Sequence, residues 1–229
     1  MRFLLRLLAA LLLAGAAHAD VVTVGGTPVT IPVPRGFVNP AAQAPELAQA
    51  LDQFVAPGNL QLGSFVAQAD VAAIRQGRQP KMDRYFLAQT GRRANVMSLT
   101  EFATLRQVLR QQNSQQPASV NPQLDAALQS LNRDRGRSLS ASLGQDGTAT
   151  IEVHRDSDDA FGMLIVMNFE VTESGRTVKH LMLAGVVTAV VKNRLIYLNT
   201  YSPLRTLADV GWVRAQSLAW VKAVASANS

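Results

Sequence analysis

The sequence predicts an α+β domain in which helices flank an antiparallel sheet. Three observations predict it. From Ser138 onward, β-forming stretches follow one another across turn signals of two or three residues. Links that short join antiparallel neighbours, because parallel pairs need long crossovers. Three segments, opening near Pro45, Ser98 and Asp209, carry apolar residues at helical spacing. Near the start, Val21 to Val33 reads as a small hairpin that turns on Gly25-Gly26.

Before that hairpin, Met1 to Ala19 reads as a cleavable secretory signal. Arg2 and Arg6 form the positive end, Leu7 to Ala16 is apolar, and Ala17-His18-Ala19 supplies the small-x-small pattern ahead of Asp20. The apolar run is shorter than the roughly 20 residues that span a bilayer, and no later stretch qualifies. The expected product is a periplasmic or secreted chain, cut between Ala19 and Asp20 and without a transmembrane segment. Removing 19 of the 229 residues leaves 210, which suits a single α+β domain with a sizeable core.

In the hairpin, Val22, Val24, Val29, Ile31 and Val33 are β-formers. Pro28 and Pro32 lack an N–H and place part of the unit at a sheet edge. Pro34-Arg35-Gly36-Phe37 turns the chain out, with Phe37 directed to the core. Pro45 to Val55 is expected as a short helix with Leu47, Leu51, Phe54 and Val55 on its stripe and Pro45 in the first turn. Pro57-Gly58-Asn59 ends it. Leu60 to Ala67 and Arg84 to Ala88 are strand candidates. Ser98-Leu99-Thr100-Glu101 has the capping-box form. The helix after it sets Phe102, Leu105, Val108 and Leu109 on one stripe. A mobile loop is expected over residues 111–121, where Gln, Ser and Pro accumulate. Pro122 to Leu131 reads as one more helix, with Leu124, Ala127, Leu128 and Leu131 on a face.

Strands are then expected over Ser138–Leu143, Thr148–His154, Phe161–Val171, Thr177–Val191 and Leu195–Tyr201. Gln145-Asp146-Gly147, Ser174-Gly175 and Lys192-Asn193 supply the turns. Asp209 is expected to cap the last helix, which runs to about Ala227 with Val210, Val213, Ser217, Trp220, Val221 and Val224 on one face. Gly211, Ala215, Ala219 and Ala223 form a small-residue face beside it, expected to share the contact with the sheet. Trp212 and Trp220 are eight apart, about 80° from alignment, so one should anchor the helix while the other sits at its rim.

Composition excludes several chemistries. The chain has no Cys, so it holds no Cys nucleophile, thiolate metal site, redox dithiol or lipoprotein anchor, and packing alone must stabilise it. That suits a bacterial periplasmic protein better than a eukaryotic secreted one. The net charge of +6 falls to +4 without Arg2 and Arg6. The basic residues are dispersed and the compartment is wrong for nucleic acid. Ser64 in Leu62-Gly63-Ser64-Phe65-Val66 has one flanking Gly where a nucleophile elbow has two, and no Gly-rich phosphate loop precedes a helix.

From Gly162 to Asn228 the chain resembles the PsbP/Mog1-like superfamily. The resemblance rests on Asn168-Phe169-Glu170, the turn at Ser174-Gly175, the apolar strand Leu181–Val191, Lys192-Asn193-Arg194-Leu195-Ile196-Tyr197-Leu198, and a final helix with Trp220-Val221. The opening Val29-Thr30-Ile31-Pro32-Val33-Pro34-Arg35-Gly36-Phe37 is similar to that family's strand, Pro, Gly and aromatic beginning. Residues 60–137 are poorly matched. The resemblance implies an α/β/α sandwich around an antiparallel sheet and a non-catalytic accessory or binding role. It carries over no functional residue.

Three sets of residues are candidates for a site. Arg133, Arg135 and Arg137 alternate around Asp134 and Gly136, so in an extended chain they share a face that suits phosphate or carboxylate groups. Asp156, Asp158 and Asp159 bring three carboxylates into four residues, the oxygen-rich composition that calcium favours, although not in calcium-loop order. His154 and His180 are the two histidines that follow the signal. With a carboxylate they make a possible zinc set if their strands adjoin.

The leading reading is a secreted, non-catalytic binding protein that needs no cofactor. Its partner is an unknown envelope protein or an anionic lipid surface, met through Arg133, Arg135 and Arg137. The alternative is a metal-dependent or other hydrolase using His154, His180, Asp156, Asp158 and Asp159. A further alternative is a small-ligand carrier whose pocket lies between the sheet and Trp212 or Trp220.

Overall fold

The computed structural model describes residues 19–93, 95–115, 142–143, 148–173 and 176–229. Its elements run β1 (Ala19–Val24), β2 (Thr27–Pro32), β3 (Phe37–Val38), α1 (Pro45–Asp52), β4 (Asn59–Ala67), α2 (Gln68–Arg75), β5 (Tyr85–Gly91) and α3 (Leu99–Gln115). They continue with β6 (Ser142–Leu143), β7 (Thr148–Asp156), β8 (Ala160–Glu173), β9 (Arg176–Val191), β10 (Arg194–Pro203) and α4 (Leu207–Asn228). Eight strands form one sheet in the order β3-β4-β5-β10-β9-β8-β7-β6. Every neighbouring pair in it is antiparallel. This is the expected α+β arrangement.

Alternation along the strands sorts side chains to two faces. On one face Phe65, Phe86, Val187, Ile196 and Leu198 pack against Trp220, Val221 and Val224 of α4 and Val29 and Ile31 of β2. Lower on that face, Leu164, Val166 and Leu183 meet Val210 and Val213. On the other face, Tyr85 and Leu87 lie under Leu47 and Leu51 of α1 and Val71 of α2. Phe161 and Leu195 lie under Phe102 of α3. Helices therefore cover both faces, as in the α/β/α layering that the resemblance implies. Each fully buried Phe or Leu contributes about 1.5–3 kcal/mol.

Paired left-handed turns explain how the small hairpin is held. Gly25 and Gly26 have φ of 51° and 82°, and Lys192 and Asn193 have φ of 48° and 58°. Both are two-residue turns whose twist matches the strands they join. They clasp each other: Arg194 donates to Thr27 Oγ1 at 3.0 Å and to Gly25 O at 2.8 Å. The hairpin does not extend the large sheet but forms a two-stranded sheet of its own, so both of its prolines lie on an edge strand. The Asn228 side chain supplies β2 with outside partners, accepting from Thr30 N at 2.9 Å and donating to Thr30 O at 2.8 Å.

Several expectations need correction. Asp209 is not the cap of α4. Thr206 is the N-cap, and Asp209 stands at the third helical position of a capping box. The small-residue face of α4 does not touch the sheet: Gly211, Ala215 and Ala219 are exposed. One row of larger residues already fills the contact. Gln111 to Gln115, expected in a mobile loop, continue α3, because that helix is capped at Ser98 and runs 17 residues. Phe54 lies beyond α1, and Val108 faces outward. Helix α2 was not expected at all. Residues 116–141, 144–147 and 174–175 lie outside the described residues. They hold the helix expected at Pro122 to Leu131, most of the strand expected from Ser138, and two of the expected turns.

Candidate functional site

The arginine candidates Arg133, Arg135 and Arg137 lie outside the described residues. The acidic cluster is placed, and its charges are already matched. Asp156 accepts from Arg110 Nε at 2.6 Å and Nη2 at 2.7 Å. Asp158 pairs with Arg106 at 2.9 Å, and Asp159 accepts from Ser157 Oγ at 2.6 Å and pairs with Arg155. The hydrogen bonds from Arg110 hold the Asp156 carboxyl below the usual carboxylate range. The cluster is thus a strap between the β7–β8 turn and α3, with arginines where a cation would sit.

The two histidines do not meet. His154 sits at a β-bulge in β7, its ring over Gly162, which pairs with Val187 on β9. His180 lies seven residues further along β9, about 23 Å away at strand spacing. The His154 ring is on the α4 side of the sheet, beside Glu152 and Arg214. Asp156 points to the α3 side. A metal set drawn from His154, His180, Asp156, Asp158 and Asp159 is therefore ruled out by register and by face.

His154 has a different consequence. Neither ring nitrogen has a hydrogen-bond partner. Burial, assisted by the Arg214 charge and opposed by Glu152, pushes its pKa down to about 4 from 6.5. The folded state resists the proton while the unfolded chain accepts it. Stability is therefore complete above pH 6.5 and falls as pH drops towards 4. The half-buried ring still sees water, so the expected loss is about 2 kcal/mol. Urea titrations at pH 7 and pH 4.5 check this. His154→Gln should remove most of the difference, and an unchanged slope would refute it.

Trp212 and Trp220 divide as expected. Trp220 is 3% exposed, packs edge-on against Phe65 and Phe86, and donates Nε1 to Pro32 O at 2.8 Å. Among the described residues, that packing fills the space between α4 and the sheet. Trp212, on the helix rim, borders an open recess of about 410 Å³ at the end of the sheet.

The ends of several elements build that recess. Strand β4 ends and α2 begins at Ala67, β5 begins just after Arg84, and β10 ends just before α4. Asp70, in the first turn of α2 and 6% exposed, accepts from the backbone N–H of Lys81 at 2.9 Å and Met82 at 3.3 Å. These bonds fix the approach to β5 even though Met82 takes a left-handed φ of 50°. Arg84 then donates Nη2 to Asp209 at 3.1 Å. Its guanidinium carbon lies 4.3 Å from the centre of the Trp212 ring. Arg205 forms a two-pronged pair with Asp83, with a shortest distance of 2.8 Å. Phe37, Ala67, Ala69 and Pro203 supply apolar wall.

Resolved pKa shifts in the recess lead away from neutrality. Partial burial pushes the Asp209 carboxyl up, but N–H bonds from Thr206 and Arg205 and the Arg84 guanidinium outweigh it and hold the group low. The Asp83 carboxylate raises Arg205. Proton transfer near pH 7 needs shifts in the opposite sense. Ser202 Oγ, fully buried, donates to the carbonyl of Pro203. A larger hollow of about 540 Å³ lies along α3, but every described lining residue belongs to that one helix.

Sequence reasoning expected one of Trp212 and Trp220 at the rim without saying which. It missed Lys81, Arg84, Asp70 and Arg205; the run of charge from Lys81 to Arg84 ahead of β5 is a local signal for the first two, and Asp70 and Arg205 lie in other parts of the chain.

No family model matches the chain, and no curated protein matches it. Among solved structures it is similar to the Ran-binding protein Mog1p of Saccharomyces cerevisiae, determined at 1.9 Å. The identity is 10%, 93% of each chain is covered, and the TM-score is 0.34. A score this low carries no argument.

Proposed function

We propose that this chain is a secreted, non-catalytic binding protein of the cell envelope and that the recess beside Trp212 is its ligand site. The signal-like Met1–Ala19 supports the compartment. The observation that carries the binding reading is the recess itself: about 410 Å³, within the ~300–1,000 Å³ typical of small-ligand sites. It has apolar walls and a few charged groups held in fixed positions. Those groups suit holding rather than proton transfer, because their hydrogen bonds stabilise the ionised forms. A small-ligand carrier is therefore favoured over a partner protein or a lipid surface met through Arg133, Arg135 and Arg137.

Protein recovered from the native envelope fraction tests both parts. N-terminal sequencing should begin at Asp20. Native mass spectrometry should show a bound small molecule that Trp212→Ala loses and that is released chemically unaltered. A chain beginning at Met1 would refute the compartment. A ligand retained equally by Trp212→Ala would refute the site, and a ligand returned in altered form would mean catalysis.

A further inference from the structure

Resting on the recess as the ligand site, we propose that it recognises an oxyanion, a carboxylate or a phosphate, carried on a short apolar body. All three acids of the recess are already engaged. Asp70 accepts two backbone N–H groups. Asp209 accepts from Arg205 N, Thr206 N, Thr206 Oγ1 and Arg84. Asp83 is taken by Arg205.

The donors are not equally engaged. Lys81 is exposed, and among the described residues its ammonium reaches no carboxylate. Arg84 gives only Nη2 to Asp209, leaving Nε and Nη1 without a protein partner. Its side chain keeps 39% exposure. The unmatched capacity of the recess is therefore for accepting negative charge.

Geometry favours an oxyanion over a diffuse anion. The Trp212 ring lies against the Arg84 guanidinium and Asp209 takes one of the two N–H bonds of Nη2, so the second Nη2 N–H and the partner-free nitrogen beside it form a pre-oriented two-pronged edge. A planar fork held in this way matches two oxygens of a carboxylate or phosphate. Cation–π contact with the indole keeps the guanidinium in place at small entropic cost. The apolar body belongs against Phe37, Ala67, Ala69 and Pro203, which a bare ion would leave wet.

Calorimetric titration of the purified protein with hexanoate, hexyl phosphate, hexylamine, hexanol and inorganic phosphate tests this. Hexanoate or hexyl phosphate should bind at least tenfold more tightly than hexylamine or hexanol, and the comparison of the two tells carboxylate from phosphate. Inorganic phosphate, lacking the body, should bind at least tenfold more weakly than the better hexyl anion. Arg84→Gln should weaken the hexyl anion at least tenfold, and Arg84→Lys should not restore it. Because Arg84 also touches Asp209 of the α4 capping box, Lys81→Gln provides a variant without side-chain partners to disturb, and it should cost about fivefold. Hexylamine or hexanol binding as tightly as the anions, and lost in Trp212→Ala, would overturn the oxyanion while leaving the recess. Binding of every probe unaffected by Trp212→Ala, or no binding at all, would overturn both.

Discussion

Gly185→Ala should destabilise the protein by about 3 kcal/mol, the upper end of the usual cost of overpacking. Gly185 lies in the middle of β9, paired with Thr200 on one side and Leu164 on the other. A methyl group there would collide with Ser217 Oγ and stand 2.9 Å from Val213 Cγ1. The residue is needed for close approach: α4 rests directly on strand backbone at this point. Lifting the helix to admit a methyl would also draw Val210, Val213 and Trp220 from their contacts. Ser217 Oγ is buried with no hydrogen-bond partner, so Ser217→Ala alone should be neutral or mildly stabilising. Combined with Gly185→Ala, it removes the worst collision but leaves Val213 Cγ1. The double variant should recover at least 1 kcal/mol beyond additivity. Urea denaturation of the four chains measures the cycle. A Gly185→Ala protein within 0.5 kcal/mol of the parent, an order-of-magnitude threshold for a surface-like site, would show that helix and sheet do not meet so closely.

What the sequence made legible was periodicity, and what it hid was juxtaposition. The buried face of α4, Val210 to Val224, follows from 3.6-residue spacing, and its six expected members are the six that are buried. The turn at Lys192-Asn193 was readable through Asn193, since asparagine is among the few non-glycine residues that take left-handed φ readily. Thr206 lost the cap to Asp209 in the reading because both are good cap residues three apart, and only the backbone tells which begins the helix. Helix α2 has eight residues and just three buried side chains, Asp70 among them, too weak a period to register. The acidic turn resembled a cation site because its partners, Arg106 and Arg110, lie some fifty residues upstream. The two histidines looked like a pair because register between β7 and β9 passes through β8 and cannot be counted along the chain. The recess is the same case. A helical angle set Trp212 and Trp220 apart without telling which lies at the rim, and Lys81, Arg84 and Asp70 gain meaning only when α2 and the start of β5 are brought to α4.

Trp220→Ala should cost about 4 kcal/mol, within the range for a fully buried large aromatic. The indole is where three layers join. Its edges meet Phe65 at 5.8 Å and Phe86 at 5.2 Å in T-shaped contacts, which exceed plain area burial in value. Its Nε1–H satisfies Pro32 O, a carbonyl at the last position of β2. Trp220→Phe would keep much of the packing but leave that carbonyl without its donor, so it should cost about 2 kcal/mol. The loss should not be uniform across the molecule. The β1–β2 hairpin makes no strand pairing with the large sheet, and it is held by α4, by the Asn228 side chain and by the clasp of Lys192 and Arg194. Without Trp220, the middle of these supports is gone while both ends remain. Amide exchange should therefore accelerate first in Val22, Val29 and Ile31, ahead of β9 and β10, which keep their partners on both sides. Acceleration spread evenly over hairpin and sheet would mean instead that the hairpin folds and unfolds with the sheet as one unit, and that the indole serves the whole core rather than this joint.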